Sequence, residues 1–187
     1  MTTNLLAVCT GNICRSPMAE ALFRTGVGVV GLDIRVASGG TWENGHPADP
    51  NAVAVMADRG LDLGRHRSRR TIPADLEAAH LVVAMAREHV VSMAGLVPAC
   101  FDRTFTLKEL EARATATGPR KPDQTLDEYI AALGQGRTHA GFLRESPDID
   151  IVDPLGHGRR AFERTASELE TLIWTTLDLF GGYEPGR

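Results

Sequence analysis

The sequence predicts an α/β fold in which strands alternate with helices, so that a parallel sheet is covered on both faces. Three observations carry that prediction. Short apolar runs such as "NLLAV" and "AHLVVAM" are bounded by turn residues, the mark of buried strands. Stretches with helical periodicity lie between them. Near the C-terminus, Phe162, Ala166, Leu169, Ile173, Leu177 and Phe180 recur at spacings of three and four, which makes an amphipathic helix.

Taken in order, Asn4 to Val8 forms the first strand, and a Gly-containing turn follows. Ser16-Pro17 supplies a cap residue and a proline at the first helical position, so a helix starts there. Met18, Ala21 and Leu22 face its core side, and Gly26 and Gly28 are read as its end. "IRVAS", Ile34 to Ser38, is the second strand, followed by Gly39-Gly40. Pro50 to Gly60 reads as a helix closed by glycine. Ala79 to Met85 is the third strand, with a helix from Arg87 to Ala94. "RTFTL" is a fourth short strand leading to a helix around Lys108 to Ala114. Residues 115–148 break the rhythm with Gly, Pro, Arg and Thr and one modest helical stretch, Leu126 to Leu133. That segment is expected to be an inserted surface loop or lid, partly mobile, within a single domain spanning 1–187.

With 187 residues, 43% of them hydrophobic, the chain can bury a core of its own. A net charge of −4 argues against nucleic-acid binding driven by bulk charge. The densest basic run, "GRHRSRR" from Gly64 to Arg70, is either a solvated loop or a guide for an anionic substrate. No run approaches the roughly 18 apolar residues that a membrane span requires, and the N-terminus lacks the pattern of a secretory signal. Three cysteines are too few for a disulfide framework. A cytoplasmic protein with no membrane partner is the expectation, and a Cys beside a Gly turn is then a candidate nucleophile rather than a staple.

The stretch "VCTGNICRSPMAE" holds two of the three cysteines. In a sheet of this kind, ligands sit beyond the carboxyl ends of the strands, beside helix N-termini, and Cys9 to Ser16 occupies such a place. Successive backbone N–H groups and the start of a helix favour an oxyanion there. Arg15 adds a planar fork for two of its oxygens. The same field favours the thiolate form of Cys9, so one loop offers both a nucleophile and a cradle for the group it attacks. A Walker loop is excluded, because no Gly-Lys-Ser/Thr follows.

This stretch resembles the signature of the low-molecular-weight protein tyrosine phosphatases of bacterial type, a family with a flavodoxin-like three-layer sandwich and a four-stranded parallel sheet. The resemblance implies a two-step reaction in which Cys9 becomes a phosphocysteine and Arg15 clamps the transferring group. It implies that Thr10, Gly11, Asn12, Ile13, Cys14 and Ser16 surround the substrate. Asn12 would hold the loop in shape, Ser16 would donate to the Cys9 thiolate, and Ser38 would brace Asn12. Cys14 would pair reversibly with Cys9 under oxidation, or would simply pack beneath the loop. A phosphorylated protein is the implied substrate, with a bacterial protein kinase in the same pathway and a monomer or weak dimer as the active form.

Phosphoryl transfer leaves charge on the departing oxygen, and a phenol of pKa about 10 leaves poorly unless it is protonated. "IVDPLG" offers Asp153, held by Pro154, and the family carries its general acid in the same dipeptide. Asp150 is the competing carboxylate. Trp42 resembles the aromatic wall beside the substrate ring, with a core plug as the alternative. Ile13 resembles members acting on phosphotyrosine, whereas Leu155-Gly156-His157, "FTLKEL" and "DPLG" look closer to a phosphoarginine branch. The six histidines show no metal-ligand spacing, so neither metal nor cofactor is expected. His66 falls in "HRSR", a structural motif of the family, and His157 is read as a solvated loop residue. Two rivals remain. A thiol-dependent arsenate reductase needs a relay of two further cysteines, and only Cys100 lies downstream. A non-catalytic phosphoprotein-binding module would keep Arg15 without needing Cys9, Ser16 and Asp153 together.

Overall fold

The computed structural model describes residues 2–42, 45–144 and 147–182. Four strands, β1 (Thr3–Cys9), β2 (Ile34–Gly40), β3 (Leu81–Ala84) and β4 (Thr104–Thr106), pair in parallel in the order β2-β1-β3-β4. That is the flavodoxin-like order, and its switch point falls between β1 and β3, where the crevice beyond the strands' carboxyl ends opens. Side chains alternate across β1. Leu5, Ala7 and Cys9 join one core layer, while Leu6 and Val8 join the other, so the strand is apolar from Leu5 onward because both its faces are covered.

The helices are α1 (Arg15–Val30), α2 (Pro50–Ala57), α3 (Pro73–Ala78), α4 (Arg87–Leu96), α5 (Leu107–Thr117), α6 (Leu126–Gly134), α7 (His139–Phe142) and α8 (Arg159–Gly181). The apolar stripe of α8 is wholly buried, from Phe162 to Phe180. The stripe packs against α1. Here the structure corrects the sequence reading, because α1 does not stop at Gly26 or Gly28. It runs to Val30 and closes on Gly31, whose φ of +76° gives the left-handed cap. Gly26 is a packing glycine instead: a Cβ there would lie 2.3 Å from Leu177 Cδ1 on α8. The short helix α3 was not expected; Pro73 at its start and Asp75, whose carboxylate accepts from Ile72 N at 3.0 Å, are its local marks.

The 115–148 segment, of which residues 145–146 lie outside those described, is tied into the protein rather than spread over it. Tyr129, Ile130 and Leu133 of α6 join the main core, and Phe142 of α7 joins a cluster with Val90 and Phe101. Between them Arg137, buried to 1% side-chain exposure, lies 4.4 Å from the ring centres of both Phe101 and Phe105 and pairs with Glu109 at 2.7 Å. A buried guanidinium is tolerable there because both its charge and its flat faces are matched. No helix among the described residues is long and apolar enough to cross a membrane.

Candidate active site

β1 ends at Cys9 and α1 begins at Arg15, so the five residues between them turn sharply at the carboxyl edge of the sheet. Asn12 takes φ +50°, the one non-glycine residue in the left-handed region among those described. Asn tolerates that conformation when its short amide finds local partners. Its Nδ2 donates to Ser16 Oγ and Ser38 Oγ, both at 2.9 Å, and its Oδ1 accepts from Arg69 N at 2.9 Å. Its carbonyl accepts from His66 Nε2 at 2.7 Å, which places the proton of that ring on Nε2. Gly40 at the end of β2 makes room for the turn, since a Cβ would stand 2.6 Å from Thr10 O.

The network has a direction. Ser38 donates to Glu20 at 2.5 Å and therefore accepts from Asn12, whose second amide proton goes to Ser16. The single proton of Ser16 has two partners in reach, Cys9 Sγ at 3.0 Å and Gly39 O at 3.2 Å. A Cys9 thiol can donate to Ser16, leaving that proton to Gly39. An ionised sulfur can only accept, and the hydroxyl turns to it. Cys9 is 3% exposed and Ser16 is fully buried.

Arg15 is 4% exposed. Its Nη2 meets Asp153 Oδ2 at 2.5 Å and its Nη1 donates to Ile151 O at 3.1 Å, while its buried Nε has no partner among the described residues. An unpaired donor on a buried cation is a place for an anion. Asp153 comes from the stretch ahead of α8, with its side chain 43% exposed and Oδ1 accepting from Leu155 N at 3.0 Å. That stretch is fastened to β3 and α4: Ile151 N donates to Met85 O at 2.8 Å, and Asp150 accepts from Arg87 N at 2.7 Å. Asp150, the competing carboxylate, is thereby engaged at the start of α4, while Asp153 is the one that reaches Arg15.

Cys14 is buried against the loop, and burial first, then the charges of Asp49, Asp153 and Cys9, push its thiol well above the ordinary range, only partly offset by Arg15. All three cysteines are free. Trp42 is 68% exposed, which rules out the core plug, and it lines a cavity of about 400 Å³ with Gly11, Ile13 and His46. His157 is exposed and lines a groove together with Asp153 and Pro154. Among the described residues no group of three or more His, Cys, Asp or Glu side chains could hold a metal.

Two site residues escaped the sequence reading. Glu20 anchors Ser38, and it closes the quoted motif, so proximity alone could have flagged it. His89 lies in α4, 1% exposed, with Nε2 2.9 Å from Thr10 Oγ1 and Nδ1 without a partner among the described residues. Burial, then the nearby Arg15 charge, lowers its pKa to about 4 against the opposing pull of Asp153. Its one sequence signal was position: it follows β3 by five residues, at the carboxyl edge beside the switch point.

Comparison with known proteins places this geometry. A family model described as low molecular weight phosphotyrosine protein phosphatase matches residues 4–123. The chain is 35% identical to a probable low molecular weight protein-tyrosine-phosphatase, EpsP, of Ralstonia nicotianae, over 73% of this chain and 92% of the relative. It is 30% identical to a protein-arginine-phosphatase of Bacillus subtilis, over 91% of each. Among solved structures, a low molecular weight protein tyrosine phosphatase from T. tengcongensis superposes with a TM-score of 0.70 at 31% identity, covering 93% of this chain and 97% of that one.

Proposed function

Because the chain belongs to the low molecular weight phosphotyrosine protein phosphatase family, we propose that it hydrolyses phosphotyrosine in proteins through a phosphoenzyme on Cys9. The observation that carries this reading is the convergence of Cys9, Arg15 and Asp153, with the unpartnered Arg15 Nε beside them. In the first step the Cys9 sulfur attacks phosphorus in line with the ester oxygen. The S–P bond forms as the P–O bond breaks, and the proton on Asp153 passes to the departing phenolate. Arg15 and the loop amides hold the three equatorial oxygens, and Ser16 donates to sulfur while it carries charge. In the second step Asp153, now a carboxylate, takes a proton from water as its oxygen attacks phosphorus. Inorganic phosphate leaves and the thiolate returns.

The cavity walled by Trp42 and Ile13 suits a flat ring. The substrate is a phosphorylated protein, and a protein kinase must supply it. All three reacting side chains come from one chain, which supports action as a monomer or weak dimer. Three free, buried thiols suit a reducing cytoplasm. Two observations favour a second reading, phosphoarginine: Leu155-Gly156 stands after Asp153-Pro154 in place of tyrosine, and a protein-arginine-phosphatase is among the relatives.

Rapid quench with labelled phosphotyrosine peptide is expected to leave phosphorus on the Cys9 sulfur. Cys9→Ser should lower turnover at least about 10⁴-fold while retaining affinity for inorganic phosphate. No label on the sulfur would refute the mechanism. Faster hydrolysis of a matched phosphoarginine peptide would shift the substrate to the second reading.

A further inference from the structure

The basic run Gly64 to Arg70 is fastened to the anion loop and to a residue of the cavity wall. Arg69 N and His66 Nε2 both donate to Asn12 inside the catalytic loop. Arg67 bridges Pro47 in antiparallel fashion, and Ser68 N donates at 2.8 Å to the carbonyl of His46, a residue that lines the cavity. Whatever this run presents is therefore held in a fixed place relative to the bound phosphoryl group.

It presents unneutralised charge. Arg69 is answered by Asp75 at 2.8 Å, and elsewhere on the surface Arg24 has Glu20 and Arg159 has Asp58 and Glu163. Arg65 and Arg67 are exposed, and neither meets a carboxylate among the described residues, although the chain carries 24 acidic side chains against 20 basic ones. The phosphate is already served by Arg15 and the loop, so these two guanidinium groups are not needed for it. Two exposed cations on a run anchored to the anion loop favour further negative charge arriving with the substrate.

We propose that Arg65 and Arg67 form a docking rim for acidic residues flanking the phosphorylated residue of a protein substrate. The inference rests on the phosphatase reading above and adds a sequence preference to it. The rim touches neither the reacting atoms nor the loop that holds them. It acts on capture of a peptide, and a small aryl phosphate never reaches it.

The test compares two phosphotyrosine peptides that differ only in carrying Glu or Lys on both sides, with an aryl phosphate as a third substrate. At low salt kcat/KM is expected to favour the Glu peptide about five- to tenfold, mostly through KM, with the ratio shrinking as salt is added. Arg65→Gln with Arg67→Gln should bring the ratio close to one, and Arg65→Glu with Arg67→Glu should reverse it. Aryl phosphate turnover should hold throughout. Equal kcat/KM for both peptides in the parent, or a Glu preference surviving both double variants, overturns the rim. An equal loss on the aryl phosphate overturns it as well, since the arginines would then support the fold of the site. If no substrate turns over in the parent, the phosphatase reading fails instead. The rim is then judged by the affinities of the two phosphopeptides, and equal affinities refute it.

Discussion

The two stretches that supply the candidate catalytic side chains are built in opposite ways. In residues 9–16, Cys9, Asn12, Arg15 and Ser16 are each at most 4% exposed, and Asn12 alone ties the loop to α1, β2 and the basic run. Around Asp153, by contrast, Val152 is 71% and Leu155 48% exposed, and the backbone is fastened mainly through Asp150 and Ile151. The contrast fits the two tasks of the proposed reaction. A tetrahedral oxyanion has nearly the same shape in every substrate, so its holder gains from being rigid and pre-paid in hydrogen bonds. Leaving groups differ and must depart, so the proton donor sits at an open edge.

The sharpest test of that division is Asp153→Ala. Turnover of aryl phosphates with poor leaving groups should fall about 10²- to 10³-fold, and activated ones far less, as measured by a series of phenols of graded pKa. An equal loss across the series would remove Asp153 as the acid. The variant also strips the counter-charge from Arg15, so inorganic phosphate should raise its Tm more than it raises the parent's.

Asn12→Ala attacks the other side of the comparison. It strands the Arg69 N–H, leaves Ser16 and Ser38 without their donor, and puts alanine at a positive φ. A loss of about 3 kcal/mol in denaturant unfolding is expected, with turnover falling alongside. Lost stability with intact turnover would mean that the network folds the loop without tuning it.

The smallest effect is a pH dependence. His89 stays neutral in the folded protein down to about pH 4, whereas the unfolded imidazole titrates near its ordinary value of 6.5. Between those values the unfolded chain binds the extra proton, so this contribution is complete above pH 6.5 and drains away as the pH falls. At pH 5 the loss is about 2 kcal/mol relative to pH 8. Urea midpoints at the two pH values check it, and His89→Gln should flatten the difference. An unchanged difference would assign the slope to other groups.

Much of the catalytic loop was legible because its chemistry is contiguous. One turn brings the sulfur, the guanidinium, the Asn that takes the strained φ and the Ser-Pro that starts the helix. Asp153, which meets Arg15 across 138 positions, could be singled out because Asp-Pro is a local mark shared with the family it resembles. His89 had no such mark, since its role depends on Thr10 lying against α4 after folding. Gly26 misled for a related reason, because a glycine that admits Leu177 looks locally like one that ends a helix. The 115–148 segment looked peripheral by its Gly, Pro and Arg content, yet Arg137 is buried because two aromatic rings and Glu109 receive it.

The amino-acid order alone thus determined the alternation of strands and helices, the α8 stripe and the anion loop, all of them set by periodicity and by groups a few residues apart. Tertiary structure decided which carboxylate reaches Arg15, where α1 ends, that burial lowers the pKa of His89, and which arginines meet no carboxylate among the described residues. Those depend on burial and charge contributed by chain more than a hundred positions away in some cases, and local sequence carries no record of the dielectric or of the partner a side chain will meet.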